Sequence, residues 1–100
     1  MRRIIGTLLI GFALTSAAMA EGVTHHVAVH VDENDPKVMN MALNNVQNVT
    51  KYYESIGDTV IVELVAYGPG LNMFVAGKSP VEQRISAMSL ELDNLTFTAC

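Results

Sequence analysis

Cys100 is the single cysteine of the chain and the residue with the most chemistry to offer. A thiolate is a nucleophile, and its reactivity follows its pKa and its access. Cys100 closes the segment Leu95-Thr96-Phe97-Thr98-Ala99-Cys100, whose β-branched and aromatic residues read as a short strand. Two roles suit a cysteine in that place. It is either a reactive thiol presented at a strand's carboxyl end, or a small apolar residue packed and inert.

Gly68-Pro69-Gly70 is the second feature. It lacks the G-x-x-x-x-G-K-[ST] pattern of a phosphate loop and runs into apolar residues. It is a tight turn, or a stretch of backbone pressed close to a ligand or partner near Cys100. His25, His26 and His30 invite a metal reading. Alternation in a strand puts His26 and His30 on one face but at least about 13 Å apart, and turns His25 away from both. No multi-ligand zinc spacing is present, so we assign no metal. Asp32, in the acidic loop Asp32-Glu33-Asn34-Asp35, is the remaining binding candidate.

The elements that must position these groups follow from pattern. His25–Val31 alternates as a strand, with His25, Val27, Val29 and Val31 on one face and His26, Ala28 and His30 on the other. Asp35-Pro36 opens a helix as N-cap and first residue. Its apolar stripe is Val38, Met41, Ala42, Val46, Val49, Tyr52, Tyr53 and Ile56, and Gly57 closes it. Asn45 lies within that stripe and is expected to tie helix to sheet by a buried hydrogen bond. Thr59–Tyr67 is nearly continuous in apolar β formers, as for a strand buried on both faces. Leu71–Ala76 reads as a short helical turn closed by Gly77. Ser79-Pro80-Val81-Glu82 is a capping box that opens a second helix, with Val81, Ile85, Met88 and Leu92 inward. Asp93-Asn94 turns the chain into the strand Leu95–Ala99.

The order is β-α-β-α-β, which implies a small layered α/β domain with a parallel sheet and right-handed crossovers. In open sheets of this class ligands bind beyond the carboxyl ends of the strands, near the point where strand order reverses. Asp32, Gly68-Pro69-Gly70 and Cys100 each follow a strand, so all three are expected at that edge.

Arg2 and Arg3, the apolar run Ile4–Leu14 and the small-residue site Ala18-Met19-Ala20 are the three parts of a secretory signal peptide, with cleavage after Ala20. The apolar run is too short to span a bilayer of about 30 Å. The expected location is periplasmic or secreted, with no stable membrane anchor after cleavage and the domain in residues 21–100. Loss of Arg2 and Arg3 leaves four basic residues against ten acidic ones. That balance argues against nucleic acid, whose phosphates need clustered Lys and Arg. With one cysteine no intrachain disulfide forms, and an exported unpaired thiol points to an intermolecular bond or to reactivity.

Several pieces together are similar to a known family. They are Val60–Ala66 running into Tyr67-Gly68-Pro69-Gly70-Leu71, then Ser79-Pro80-Val81-Glu82-Gln83-Arg84-Ile85, then Phe97-Thr98-Ala99-Cys100, with Asn44-Asn45-x-x-Asn48 in the long helix. In these the chain resembles the DsrE/DsrF-like sulfur-relay proteins, including the small YchN-like members. The resemblance implies a β/α sandwich that is commonly a homo-oligomer. It also implies a cysteine at Cys100 that carries sulfur as a persulfide between donor and acceptor proteins, without a cofactor. Such a protein is a carrier rather than a turnover enzyme. The family's chain continues past this cysteine, so the sequence is expected to be incomplete at its C-terminus. The alternative is a ligand-binding or oligomeric assembly module in the periplasm, without chemistry at Cys100.

Overall fold

The computed structural model describes residues 22–100. The signal-peptide reading of Met1–Ala20 lies outside them. The elements are β1 (Thr24–Val31), α1 (Pro36–Ser55), β2 (Thr59–Ala66), a 3-10 helix (Gly68–Phe74), α2 (Glu82–Glu91) and β3 (Leu95–Ala99). The strands form one parallel sheet in the order β1-β2-β3. This is the small α/β class that the alternation predicts.

The order runs in one direction, so among the described residues there is no point of strand reversal. The sheet offers a shared carboxyl edge instead. Two successive right-handed crossovers in the same direction put both helices on one face. Arg84 of α2 ties the helices side by side. Its guanidinium donates to the Asn40 carbonyl at 3.3 Å and side-chain oxygen at 2.9 Å, to Asn44 Oδ1 at 2.5 Å and to Gln47 Oε1 at 3.1 Å.

The core lies between sheet and helices. Val31, Met39, Leu43, Val46, Val62, Leu64, Met73 and Met88 are its largest fully buried side chains. Each such apolar side chain stabilises the fold by roughly 1.5–3 kcal/mol. β2 is buried on this face only. Val60, Val62, Leu64 and Ala66 are inward, whereas Ile61 and Glu63 are exposed. Among the described residues the expectation of burial on both faces fails, because neither crossover covers the second face.

α1 begins as predicted, with the Asp35 carboxylate accepting from the Lys37 N–H at 2.8 Å. It ends in a Schellman turn. Gly57 has φ 81°, its N–H donates to Glu54, and the Asp58 N–H donates to Tyr53. The buried stripe is narrower and rotated from the one expected. Met39, Leu43 and Thr50 belong to it, while Met41, Tyr52 and Ile56 are exposed. The apolar residues cover more than half of the helix circumference, and only the arc around Leu43 and Val46 faces the sheet. Asn45 is exposed, so it makes no buried tie. That role falls to Thr50, which is buried and accepts from Asn94 Nδ2 at 3.0 Å, joining α1 to the turn before β3.

The expected capping box at Ser79 is also revised. Ser79 Oγ accepts from the Val81 N–H at 3.1 Å, but Glu82 reaches back to the Gly77 N–H at 3.0 Å and not to Ser79. The regular helix therefore starts at Glu82, after a turn.

Candidate functional site

The carboxyl edge of the sheet gathers the three features singled out from sequence. The last paired row of strand residues is Val31, Ala66 and Ala99. The ladder then continues by one bond on each side. The Tyr67 N–H donates to the Val31 carbonyl at 3.0 Å, and the Cys100 N–H donates to the Ala66 carbonyl at 2.9 Å. Asp32, Tyr67 and Cys100 thus form the next row. By alternation this row belongs to the uncovered face, with His30, Val65 and Thr98.

Cys100 is exposed and unpaired. Tyr67 stands between Cys100 and Asp32. Neighbouring strands are about 4.8 Å apart, which leaves Asp32 roughly 10 Å from Cys100. Asp32 shares the edge but not the immediate surroundings of the thiol.

The Gly68-Pro69-Gly70 turn lies against β1. Gly68 takes φ 58°, a left-handed conformation that suits glycine. Gly70 is buried, and a Cβ there would sit 2.2 Å from the Val31 carbonyl oxygen and 3.1 Å from the Asp32 Cα. The backbone at Gly70 thus lies close against the end of β1. The Gly70 N–H donates to the Tyr67 carbonyl at 3.1 Å, and Asn72 Nδ2 donates to Asn34 Oδ1 at 3.0 Å. These bonds brace the two loops on either side of Tyr67.

Tyr67 and His30 are the site residues that the sequence reading passed over. Their rings lie 4.9 Å apart, tilted by 33°, on the uncovered face beside the thiol row. Counting alternation through the paired strands, rather than within each strand, brings them together. Further along this face Thr98 Oγ1 donates to Glu63 Oε2 at 2.7 Å. On the opposite, covered face Phe97 packs edge-on against Phe74 at 5.9 Å and fixes β3 against the 3-10 helix.

His25 lies at the other end of the sheet. Its Nε2 is 2.8 Å from Asp58 Oδ2, and its ring stacks on Tyr53 at 4.1 Å. Asp58 also accepts from the Val23 N–H at 3.0 Å. The His25 hydrogen bond, then the Val23 N–H, hold the Asp58 carboxyl below its ordinary pKa. This pair clamps the start of β1 to the start of β2. Among the described residues no group of three His, Cys, Asp or Glu side chains is placed to hold a metal ion.

Concavities occur elsewhere on the surface. One of about 460 Å³ is lined by Asn40 and by Ser79–Arg84, and another of about 240 Å³ by His26, Val27, Ala28, Ile61 and Glu63. Cys100 borders neither.

No protein-family model, curated protein or solved structure matches the chain.

Proposed function

We propose that the protein is an exported sulfur carrier of the DsrE/DsrF-like kind, acting in the periplasm through Cys100. The observation that carries this reading is an exposed thiol on a residue whose backbone is pinned to the end of β2. The Cys100 thiolate attacks the outer sulfur of a donor persulfide. The new S–S bond forms on Cys100, the donor S–S bond breaks, and the donor leaves as a thiolate. An acceptor thiolate then repeats the exchange and takes the sulfane sulfur away. No electrons are gained or lost overall, and no cofactor takes part. Tyr67 and Gly68-Pro69-Gly70 form the ledge against which the partner rests. The family resemblance, the signal-type N-terminus and the unpaired exported cysteine support the assignment together. Incubation with a sulfane donor followed by intact-mass measurement tests it.

A second reading is a non-catalytic binding or assembly module. It is favoured by the exposed apolar side chains of α1, which serve association and not chemistry. Replacing Cys100 with Ser separates the two. An assembly module keeps its oligomer and its partner, and a carrier loses sulfur transfer.

A further inference from the structure

The 3-10 helix Gly68–Phe74 runs for seven residues, where such helices rarely pass three or four. Its i→i−3 bonds have poorer geometry than those of an α-helix, so contacts outside the helix must hold it in this form. The Gly70 N–H donates to the Tyr67 carbonyl at 3.1 Å near one end, and the Val75 N–H donates to the Asn72 carbonyl at 3.2 Å at the other. Residues three apart share one side of a 3-10 helix. Gly70 and Met73 are buried on one side, Leu71 and Phe74 are half-buried on the next, and Asn72 lies on the third.

Each side has its own partner. Gly70 rests on the Val31 carbonyl and the Asp32 Cα at the end of β1. Asn72 Nδ2 donates to Asn34 Oδ1 at 3.0 Å, in the loop that follows β1. Phe74 meets Phe97 of β3 edge-on, with ring centroids 5.9 Å apart and planes at 79°. Gly70 and Asn72 therefore grip the β1 side of the sheet, and Phe74 grips the β3 side.

The length of the helix suits that span. β1 and β3 are two strand spacings apart, about 10 Å. From Gly70 to Phe74 a 3-10 helix advances about 8 Å, and the Phe74 ring covers the rest. An α-helix over the same residues would advance only about 6 Å and would draw Phe74 back from Phe97. The two forms are discrete, and the extended one is the form that reaches β3.

We infer that this helix is a strut that couples the loop after β1 to Cys100, with Phe74 as the residue that transmits its position. Leu95, Phe97 and Ala99 are the β3 residues paired with buried Val62, Leu64 and Ala66. Ala99 is small and exposed, so Phe97 is the last large side chain on this face before Cys100. Cys100 itself lies one residue past the paired row and is held by a single bond from its N–H to the Ala66 carbonyl. A residue in that position frays unless its neighbours are fixed. Phe74 fixes them through Phe97. A contact that displaces Asn34 loosens Asn72, lets the helix tighten, and frees the end of β3. The loop after β1 is thereby a control point for Cys100, and it is one whether or not the thiol carries sulfur.

Amide hydrogen exchange at Cys100, followed by NMR, tests the strut. Phe74→Ala should speed exchange of this N–H about fivefold or more relative to Val49→Ala, a truncation in the same core but on α1. Phe74→Tyr keeps the ring and should restore the slow rate. Phe74→Leu keeps most of the bulk without the ring edge and carries the same comparison should Phe74→Ala not fold. Asn34→Ala, at an exposed position, should speed Cys100 exchange about twofold or more in the wild-type background. It should add nothing once Phe74 is Ala or Leu, because the strut is already cut. Equal Cys100 exchange in the Phe74 and Val49 variants would overturn the inference. So would a Cys100 amide unmoved by Asn34→Ala, or an Asn34→Ala effect of the same size with and without the Phe74 ring, which would route the coupling through the strands.

Discussion

The Cys100 N–H donates to the Ala66 carbonyl at 2.9 Å, so the thiol-bearing residue is an extension of the sheet ladder and not a loose end. Its backbone is placed by β2 while its side chain is exposed. The thiol should therefore react fully with iodoacetamide in the native protein, at a rate close to that of the urea-denatured chain. Strong protection in the native state would show that the thiol is covered.

The turn beside it should be sensitive at one glycine more than at the other. Gly70→Ala drives a Cβ into the Val31 carbonyl at 2.2 Å, where backbone on both sides must move. A loss of about 3 kcal/mol or more in urea unfolding is expected, at the upper end for overpacking. Gly68→Ala meets no neighbouring atom and incurs only the left-handed conformation, about 1–2 kcal/mol. The reverse order would contradict the packing of this turn on β1.

Thr50 and Asn94 should behave as one unit. Thr50→Val keeps the shape but removes the acceptor of the 3.0 Å bond from Asn94 Nδ2. Leaving that half-buried amide unpaired costs about 1–3 kcal/mol. A double-mutant cycle with Asn94→Ala should show coupling, because the second change removes the orphaned donor. Strict additivity would show that the bond contributes nothing.

The Asp58 clamp predicts a direction in acid. The folded carboxyl titrates below its ordinary value because His25 and the Val23 N–H favour its charged form. The unfolded chain therefore binds more protons in this window, and stability rises with pH. The contribution is complete above the unfolded carboxyl pKa near 4 and is lost as pH falls through the lower folded value. Asp58→Asn should be less stable than wild type at neutral pH and should show a shallower loss below about pH 4. Parallel stability curves for the two proteins would remove the clamp from the account.

Much of this architecture was legible in the sequence because its signals are local. Asp35-Pro36, Gly57, Gly68-Pro69-Gly70 and the β-branched runs mark the element boundaries within a residue or two. What was hidden depends on which face the crossovers cover. Thr59–Ala66 is apolar enough for double burial, yet Ile61 lies bare because both helices pack on one side. The same asymmetry left Met41 and Tyr52 outside the core, and no periodicity distinguishes their arc from that of Leu43. At the site, Cys100 and the glycine turn stood out by residue type. Tyr67 and His30 did not, because their contact exists only once β1 and β2 are paired in register.

The most direct test of the central claim is intact-mass measurement after incubation with a sulfane-sulfur donor and removal of excess donor. The account predicts an added mass of one sulfur atom on the wild-type protein, lost on treatment with a reducing thiol and absent from Cys100→Ser. An unmodified mass on a protein whose Cys100 still alkylates fully, or the same addition on Cys100→Ser, would contradict it.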